Sequence, residues 1–255
     1  MSSLTACTST GANSGGDATH LVQAGKLTTC THLPYPPFQS RDGSGKVVGF
    51  DVDLIDLVAQ RLGVVQTIVD TPFEGIKSGA DLNAGKCDIA AAGMTITDER
   101  RKVLDFSAPY FDATQLLVVA SGSTAKSLSD LVGKRVGVQG NTTGDDYVTG
   151  QVSKQSLQVE VVDFPDLGTL QQALATGQVA AAVGDLPVWN DYVKKNPGQA
   201  EAVTEFNTGE QYGFAVKKGG DRRLLQTVND TLAQAKADGT YDKLYQQWIG
   251  PRPKR

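Results

Sequence analysis

Histidine is almost missing from this chain, with two in 255 residues. His20 falls in a polar leader, which leaves His32 as the one imidazole inside a folded region. Cysteine is scarce too: Cys7, Cys30 and Cys87 are the complete set, and the nearest two are 23 positions apart. No C-x-x-C or H-x-x-x-H spacing is written, so a zinc site of the usual kinds is excluded and no metal is expected. G-x-S-x-G and G-x-x-x-x-G-K-[ST] are also absent, which excludes a nucleophile elbow and a Walker phosphate loop, and no cofactor is expected. No apolar run reaches the roughly 18 residues of a membrane helix, and mean hydropathy is -0.23. The 24 basic and 28 acidic side chains give a net charge of -4. The basic tail Arg252, Lys254, Arg255 is short, so no basic face for nucleic acid is in view. What is present is 40% hydrophobic residues and 28 glycines, enough for one large core or two small ones.

Residues 1–24 are expected to form a flexible leader, because the first 19 are rich in Ser, Thr, Gly and Ala without periodicity. Within them Leu4-Thr5-Ala6-Cys7 resembles the lipobox of bacterial lipoproteins, which makes Cys7 a lipidation candidate and the leader a tether. Cys30 and Cys87 are then an even pair, which in an exported protein suggests a disulfide. Both lie in strand-like runs, and if those strands are parallel neighbours a bridge is geometrically possible. Two buried thiols are the alternative, since sequence does not give the Cα separation.

Short apolar runs alternate with amphipathic segments, the pattern of an α/β fold with mainly parallel sheet. A strand over 47–50 leads to a helix that Asp51 is expected to cap, with Leu54, Ile55, Val58 and Leu62 on one face and Gly63 as its stop. A weaker helix is expected over 73–84. One internal echo stands out. Leu82-Asn83-Ala84-Gly85 precedes Cys87-Asp88-Ile89-Ala90-Ala91-Ala92-Gly93, and Leu174-Ala175-Thr176-Gly177 precedes Val179-Ala180-Ala181-Ala182-Val183-Gly184. Both copies read helix, Gly stop, small-residue strand, Gly exit, and their spacing differs by one residue. Two similar α/β lobes are therefore expected, with strand ends facing each other where open α/β sheets bind ligands. A helix over 221–238 and another over 241–249 are expected to pack back on the first lobe. The chain would then cross between lobes twice, with hinges near 111–115 and 208–212.

The strand-end loops carry the recognition chemistry. Gly93-Met94-Thr95-Ile96-Thr97-Asp98-Glu99-Arg100 offers a carbonyl, a hydroxyl and a guanidinium able to hold a carboxylate by two parallel bonds. A lone arginine more often pairs with a neighbouring acid, here Glu99, Asp98 or Asp105. Gly140-Asn141-Thr142-Thr143 opens a helix whose N–H groups suit an anion. Asp185 could meet an ammonium or cap the next helix. Tyr35 and Phe73 follow strands of the first half, where a ring can flank a ligand stem or simply pack. Together a cation, an anion, hydroxyls and rings complement a free amino acid's zwitterion.

The runs Tyr35-Pro36-Pro37-Phe38, Val48-Gly49-Phe50-Asp51-Val52-Asp53-Leu54, Gly93 to Arg100 and Asp105-Phe106-Ser107-Ala108-Pro109-Tyr110-Phe111 resemble family 3 extracellular solute-binding proteins, the polar amino-acid receptors of bacterial ABC importers. The resemblance runs from about Leu27 to Ile249. It implies a two-lobed, type II periplasmic-binding-protein-like α/β fold, with lobe 1 from 25–113 and 210–255 and lobe 2 from 114–209. It implies a monomeric, non-enzymatic receptor outside the cytoplasm, either a surface lipoprotein or periplasmic. Its partners would be a free polar L-amino acid and a membrane permease, with no nucleic acid. Arg100 and Thr142 would hold the ligand α-carboxylate. Asp185, Thr95 and the Gly93 carbonyl would hold the α-ammonium, and Tyr35 and Phe73 would sandwich the side chain. Gln139 matches the second-lobe loop, and Met94 lies in the first-lobe motif. Relatives that take basic ligands often have an acid where His32 stands. His32 therefore favours an amide or acidic ligand over a basic one, unless Glu74 restores the charge. The alternative is an enzyme on the same scaffold, a dehydratase with His32 or Glu74 as general acid.

Overall fold

The computed structural model describes residues 19–252, so Cys7 and its lipobox-like run lie outside the described residues. In chain order the strands are β1 (Lys26–Thr31), β2 (Ser40–Arg41), β3 (Val47–Val48), β4 (Val65–Asp70), β5 (Ile89–Ala90), β6 (Leu104–Phe106), β7 (Phe111–Ala120), β8 (Arg135–Gln139), β9 (Glu160–Phe164), β10 (Ala181–Asp185), β11 (Ala200–Tyr212) and β12 (Ala215–Lys217). The helices are α1 (Phe50–Leu62), α2 (Phe73–Lys77), α3 (Ala80–Asn83), α4 (Asp98–Val103), α5 (Thr143–Lys154), α6 (Leu167–Ala175), α7 (Leu186–Lys195), α8 (Arg222–Ala237) and α9 (Thr240–Trp248).

Two five-stranded sheets result, in the orders β4-β1-β5-β12-β6 and β9-β8-β10-β7-β11. In each, the opening strand of a half (β1 or β8) pairs in parallel with the strand that follows the first long helix of that half (β4 or β9) on one side and with the small-residue strand on the other. The fourth strand of each sheet is antiparallel and comes from beyond a crossover: β12 in the first, β7 in the second. The echo in the sequence is thus a repeated topology. The chain passes between lobes on β7 and returns on β11, and these two strands pair antiparallel with a break in register between Phe206 and Glu210.

Apolar periodicity accounts for the packing. Leu54, Ile55 and Val58 of α1 are fully buried, and α8 and α9 both pack against this helix. Gly63 closes α1 in the left-handed conformation, as the sequence predicts. Rings at the first-sheet ends of the crossover strands form a hub with the 32–39 loop. Phe111 stacks on Tyr212, and Phe38 meets both edge-on.

Three local expectations are corrected. Phe50 starts α1 rather than ending a strand, and Gly49 occupies the cap position with φ 145 and no side-chain bond. A Cβ at Gly49 would lie 2.1 Å from the Phe38 carbonyl oxygen, so only glycine fits there. Asp51 is not the cap: it is buried in the first turn, accepting from the Gly93 N–H at 2.8 Å and the Tyr110 hydroxyl at 2.6 Å. The expected helix over 73–84 is two short ones, α2 and α3, separated at Ser78-Gly79, where Gly79 has φ 75.

Cys30 and Cys87 are joined by a disulfide with Cα atoms 5.6 Å apart. Cys30 pairs with Ala90 in the parallel β1–β5 ladder, and Cys87 lies two residues before the start of β5. The parallel neighbourhood considered from sequence is therefore present.

Candidate functional site

A pocket lies between the lobes, lined by His32, Tyr35, Gln39, Phe73, Ala92, Gly93, Thr95, Arg100, Gln139, Thr142, Thr143 and Asp185. Residues 32–39 and 92–95 leave the ends of β1 and β5, while Gln139–Thr143 and Asp185 lie at the ends of β8 and β10. This is the strand-end placement expected of an α/β site.

Arg100 is the cavity's cation. Thr97 caps α4 by accepting from the Arg100 N–H at 3.1 Å, so the side chain sits in the helix's first turn and points back toward the loop before it. Its Nη1–H donates to the Thr95 carbonyl at 2.9 Å and its Nη2–H to the Asn141 carbonyl at 3.4 Å, across the cleft. The guanidinium lies 5.2 Å from the centre of the Phe73 ring and is 7% exposed. The neighbouring acids are committed elsewhere: Glu99 pairs with Lys102 and Asp105 with Lys218. Arg100 thus has no direct carboxylate partner among the described residues, and its donors are held by carbonyls. Burial lowers its pKa, opposed by the charges of Asp185, Asp146 and Glu210.

Asp185 is the facing anion, 6% exposed. It ends β10 without capping α7. It accepts from the Tyr35 hydroxyl at 2.6 Å, from Gln115 Nε2 at 2.6 Å and from the Tyr212 hydroxyl. Burial pushes its carboxyl up to about 6, helped by the negative charge of Glu210 and opposed by these bonds. The Tyr35 phenol is raised well above its usual value by burial and by Asp185.

Glu210 was not foreseen. Its Oε2 accepts from Thr95 of the first lobe at 3.0 Å, Thr143 of the second at 2.9 Å and Gln115 of β7 at 3.1 Å. One carboxylate oxygen on a crossover strand therefore gathers donors from both lobes. Gln39, Gln115 and Tyr212 were also missed as site residues, whereas Thr143 lies in the helix-opening run named from sequence. Thr142 caps α5, accepting from the Asp145 N–H, and donates its own proton to the Gln139 carbonyl at 2.7 Å. The Thr142 hydroxyl proton is thus engaged within its own loop, and the first-turn N–H groups of α5 lie at this end of the pocket.

His32, Tyr35, Phe73, Gly93, Thr95, Arg100, Gln139, Thr142 and Asp185 come together on this cavity. Two candidates do not. Met94 is buried in the first-lobe core with Phe73, Ile76 and Leu104, because the strand-like exit turns it away from the cleft. Glu74 points outward from α2, forms an ion pair with Lys77 at 3.4 Å and lines a separate groove at the rim. It does not supply the cavity's second negative charge. Gly93 has φ 54, and a Cβ there would lie 3.1 Å from the Tyr35 ring, so the loop and the ring approach closely only through glycine.

Comparison with known proteins bears on this arrangement. The profile of the bacterial extracellular solute-binding proteins, family 3, matches residues 27–251. ABC transporter arginine-binding protein 1 of Escherichia coli K12 is 33% identical over 231 residues, covering 89% of this chain and 91% of that protein. The solved structure of an ancestral arginine-binding protein bound to arginine superposes with a TM-score of 0.82 at 43% identity, covering 89% of this chain and 99% of the other. An ancestral amino acid-binding protein described as a precursor of cyclohexadienyl dehydratase superposes with a TM-score of 0.79 at 39% identity, covering 88% and 96%.

Proposed function

The chain belongs to the bacterial extracellular solute-binding proteins of family 3, and from that premise we propose that its cleft captures a free polar amino acid for delivery to an ABC permease. The observation that carries the proposal is one buried guanidinium and one buried carboxylate, from different lobes, lining a single cavity. Arg100 and the α5 N-terminus take the ligand α-carboxylate, the guanidinium exchanging its carbonyl contacts for a bidentate pair. Asp185, with Thr95 and the Gly93 carbonyl, takes the α-ammonium. Tyr35 and Phe73 flank the side chain. Each lobe alone offers half of this set, so a ligand stabilises the form in which the lobes meet.

In this reading lobe 1 is 25–113 with 210–255 and lobe 2 is 114–209, so both boundaries fall within the paired crossover strands β7 and β11. Residues 1–24 tether a monomeric receptor outside the cytoplasm through a lipidated Cys7. Family members are extracellular or periplasmic proteins, and among the described residues no helix is long and apolar enough to cross a membrane. The receptor is not an enzyme. Of the two acids available to a dehydratase, Glu74 lies outside the cavity.

The test is calorimetry on protein unfolded and refolded to strip carried-over ligand. Wild type should bind at least one polar amino acid, and Arg100→Ala should weaken that binding by about 2–5 kcal/mol, as expected for loss of a charged, hydrogen-bonded contact. Unchanged affinity in Arg100→Ala would remove the assignment.

A further inference from the structure

The cavity wall beside Tyr35 and Phe73 carries two hydrogen-bond acceptors that no described residue uses. His32 turns Nδ1 toward the Thr71 carbonyl at 3.0 Å. A carbonyl only accepts, so Nδ1 bears the proton and Nε2 of the neutral ring presents a lone pair. That Nε2 is buried without a partner among the described residues. Gln39, 1% exposed, donates Nε2–H to the His32 carbonyl at 3.4 Å, which orients its amide. Its Oε1 is left buried and also unpartnered. Both residues line the cavity, and the 32–39 loop is folded on itself by paired bonds between Tyr35 and Gln39. Buried acceptors are almost always satisfied, and two on one cavity wall need N–H groups from whatever enters.

We propose that this wall is a side-chain subsite for a guanidinium, which makes arginine the preferred ligand. The inference rests on the amino-acid capture described above and names its substrate. A side-chain carboxylate would set acceptors against acceptors, which excludes the acidic ligand that His32 suggests from sequence. A lysine ammonium is a strongly hydrated point charge that needs a counter-ion when buried, and Asp185, already committed to the α-ammonium, is the sole carboxylate on the lining. A guanidinium is flat, weakly hydrated, rich in N–H donors and at home against aromatic rings. It can satisfy His32 Nε2 and Gln39 Oε1 without a buried anion. Citrulline has the same shape, but it replaces one NH₂ by an oxygen that faces these acceptors.

The experiment is calorimetry at pH 8 on refolded protein with arginine, citrulline, glutamine, lysine, histidine and glutamate. Arginine should bind tightest, with citrulline, glutamine, histidine and lysine each at least about ten-fold weaker and glutamate weakest, because a site built for N–H donors rejects analogues that lack them. Gln39→Leu should narrow the arginine-to-citrulline ratio while zwitterion binding persists. Should that variant fail to fold, the wild-type ranking decides alone. Glutamate or lysine binding more tightly than arginine would overturn the subsite and leave amino-acid capture standing. Absence of binding by all six would overturn both.

Discussion

Asp185 faces Tyr35, Tyr212, Gln115, Arg100 and Glu210, and its burial together with the Glu210 charge holds its carboxyl at about 6. A ligand ammonium needs that carboxyl ionised. Affinity should therefore be full at pH 8 and fall as pH drops through about 6, approaching ten-fold per pH unit where one proton is linked. Glu210→Gln removes a negative neighbour, lowers the Asp185 value and should move this acid limb to lower pH, while keeping an acceptor for Thr95 and Thr143. Calorimetry between pH 8 and 4.5 compares the two limbs; superimposable limbs would show that Glu210 has no electrostatic hold on Asp185. Asp185, Tyr35 and Phe73 were legible in the sequence because each sits at or just past a strand end marked by Gly or Pro, and Arg100 because it opens the helix after the Gly93 loop. Glu210 was hidden in a long polar strand, β11, whose alternation reads as a solvent face. The register break between Phe206 and Glu210, with Gly209 at φ 65, re-aims its side chain, as bulges do. The run Asn207-Thr208-Gly209 inside a strand was the available signal.

Among the elements, α1 and β1 carry consequences for stability. Asp51 at the start of α1 is pushed up to about 7 by burial, against bonds from Tyr110 and Gly93 that lower it, from an ordinary 3.8. A carboxyl raised in the folded state binds more protons there than when unfolded. Its contribution is full below about pH 4 and is lost as pH rises through about 7. Asp51→Asn cannot ionise, so its stability relative to wild type should improve between pH 5 and pH 8, measured by denaturant unfolding at both values. No change in that difference would mean Asp51 is not buried as a carboxylic acid. The Cys30–Cys87 bridge spans a sequence separation of 57, which the chain-entropy model values at about 4 kcal/mol. Reductant, or Cys30→Ala with Cys87→Ala, should lower unfolding free energy by roughly that amount; a loss under about 1 kcal/mol would contradict it. Sequence periodicity gave α1, α8 and the stop at Gly63 because burial on one face repeats at the helical period. It missed the division of 73–84 because Gly79 adopts a left-handed conformation that a period count does not register. It misassigned Asp51 because an acid at a helix start looks like a cap whether it faces solvent or core.

For the molecule as a whole, function depends on contacts that exist only when the lobes meet. Tyr35–Asp185 and Thr95–Thr143 lie inside the cleft, and Lys77 Nζ donates to Asn141 Oδ1 at 2.9 Å on its rim. The two-lobe plan was readable from the echo of helix, Gly and small-residue strand. The rim pair was not, because Lys77 of α2 and Asn141 of the loop before α5 belong to different lobes and lie 64 residues apart in sequence. Lys77 does not line the cavity, so its removal should act on closure alone. A net hydrogen bond contributes about 0.5–1.5 kcal/mol, so Lys77→Ala should weaken ligand binding by roughly two- to ten-fold. In the proposed closure the bond forms after ligand entry, so the change should appear in koff while kon is little altered. Stopped-flow measurement with the preferred amino acid separates the rates. A slower kon with unchanged koff would mean that Lys77 steers the ligand in, through charge at the cleft mouth, and does not clasp the lobes once they have closed.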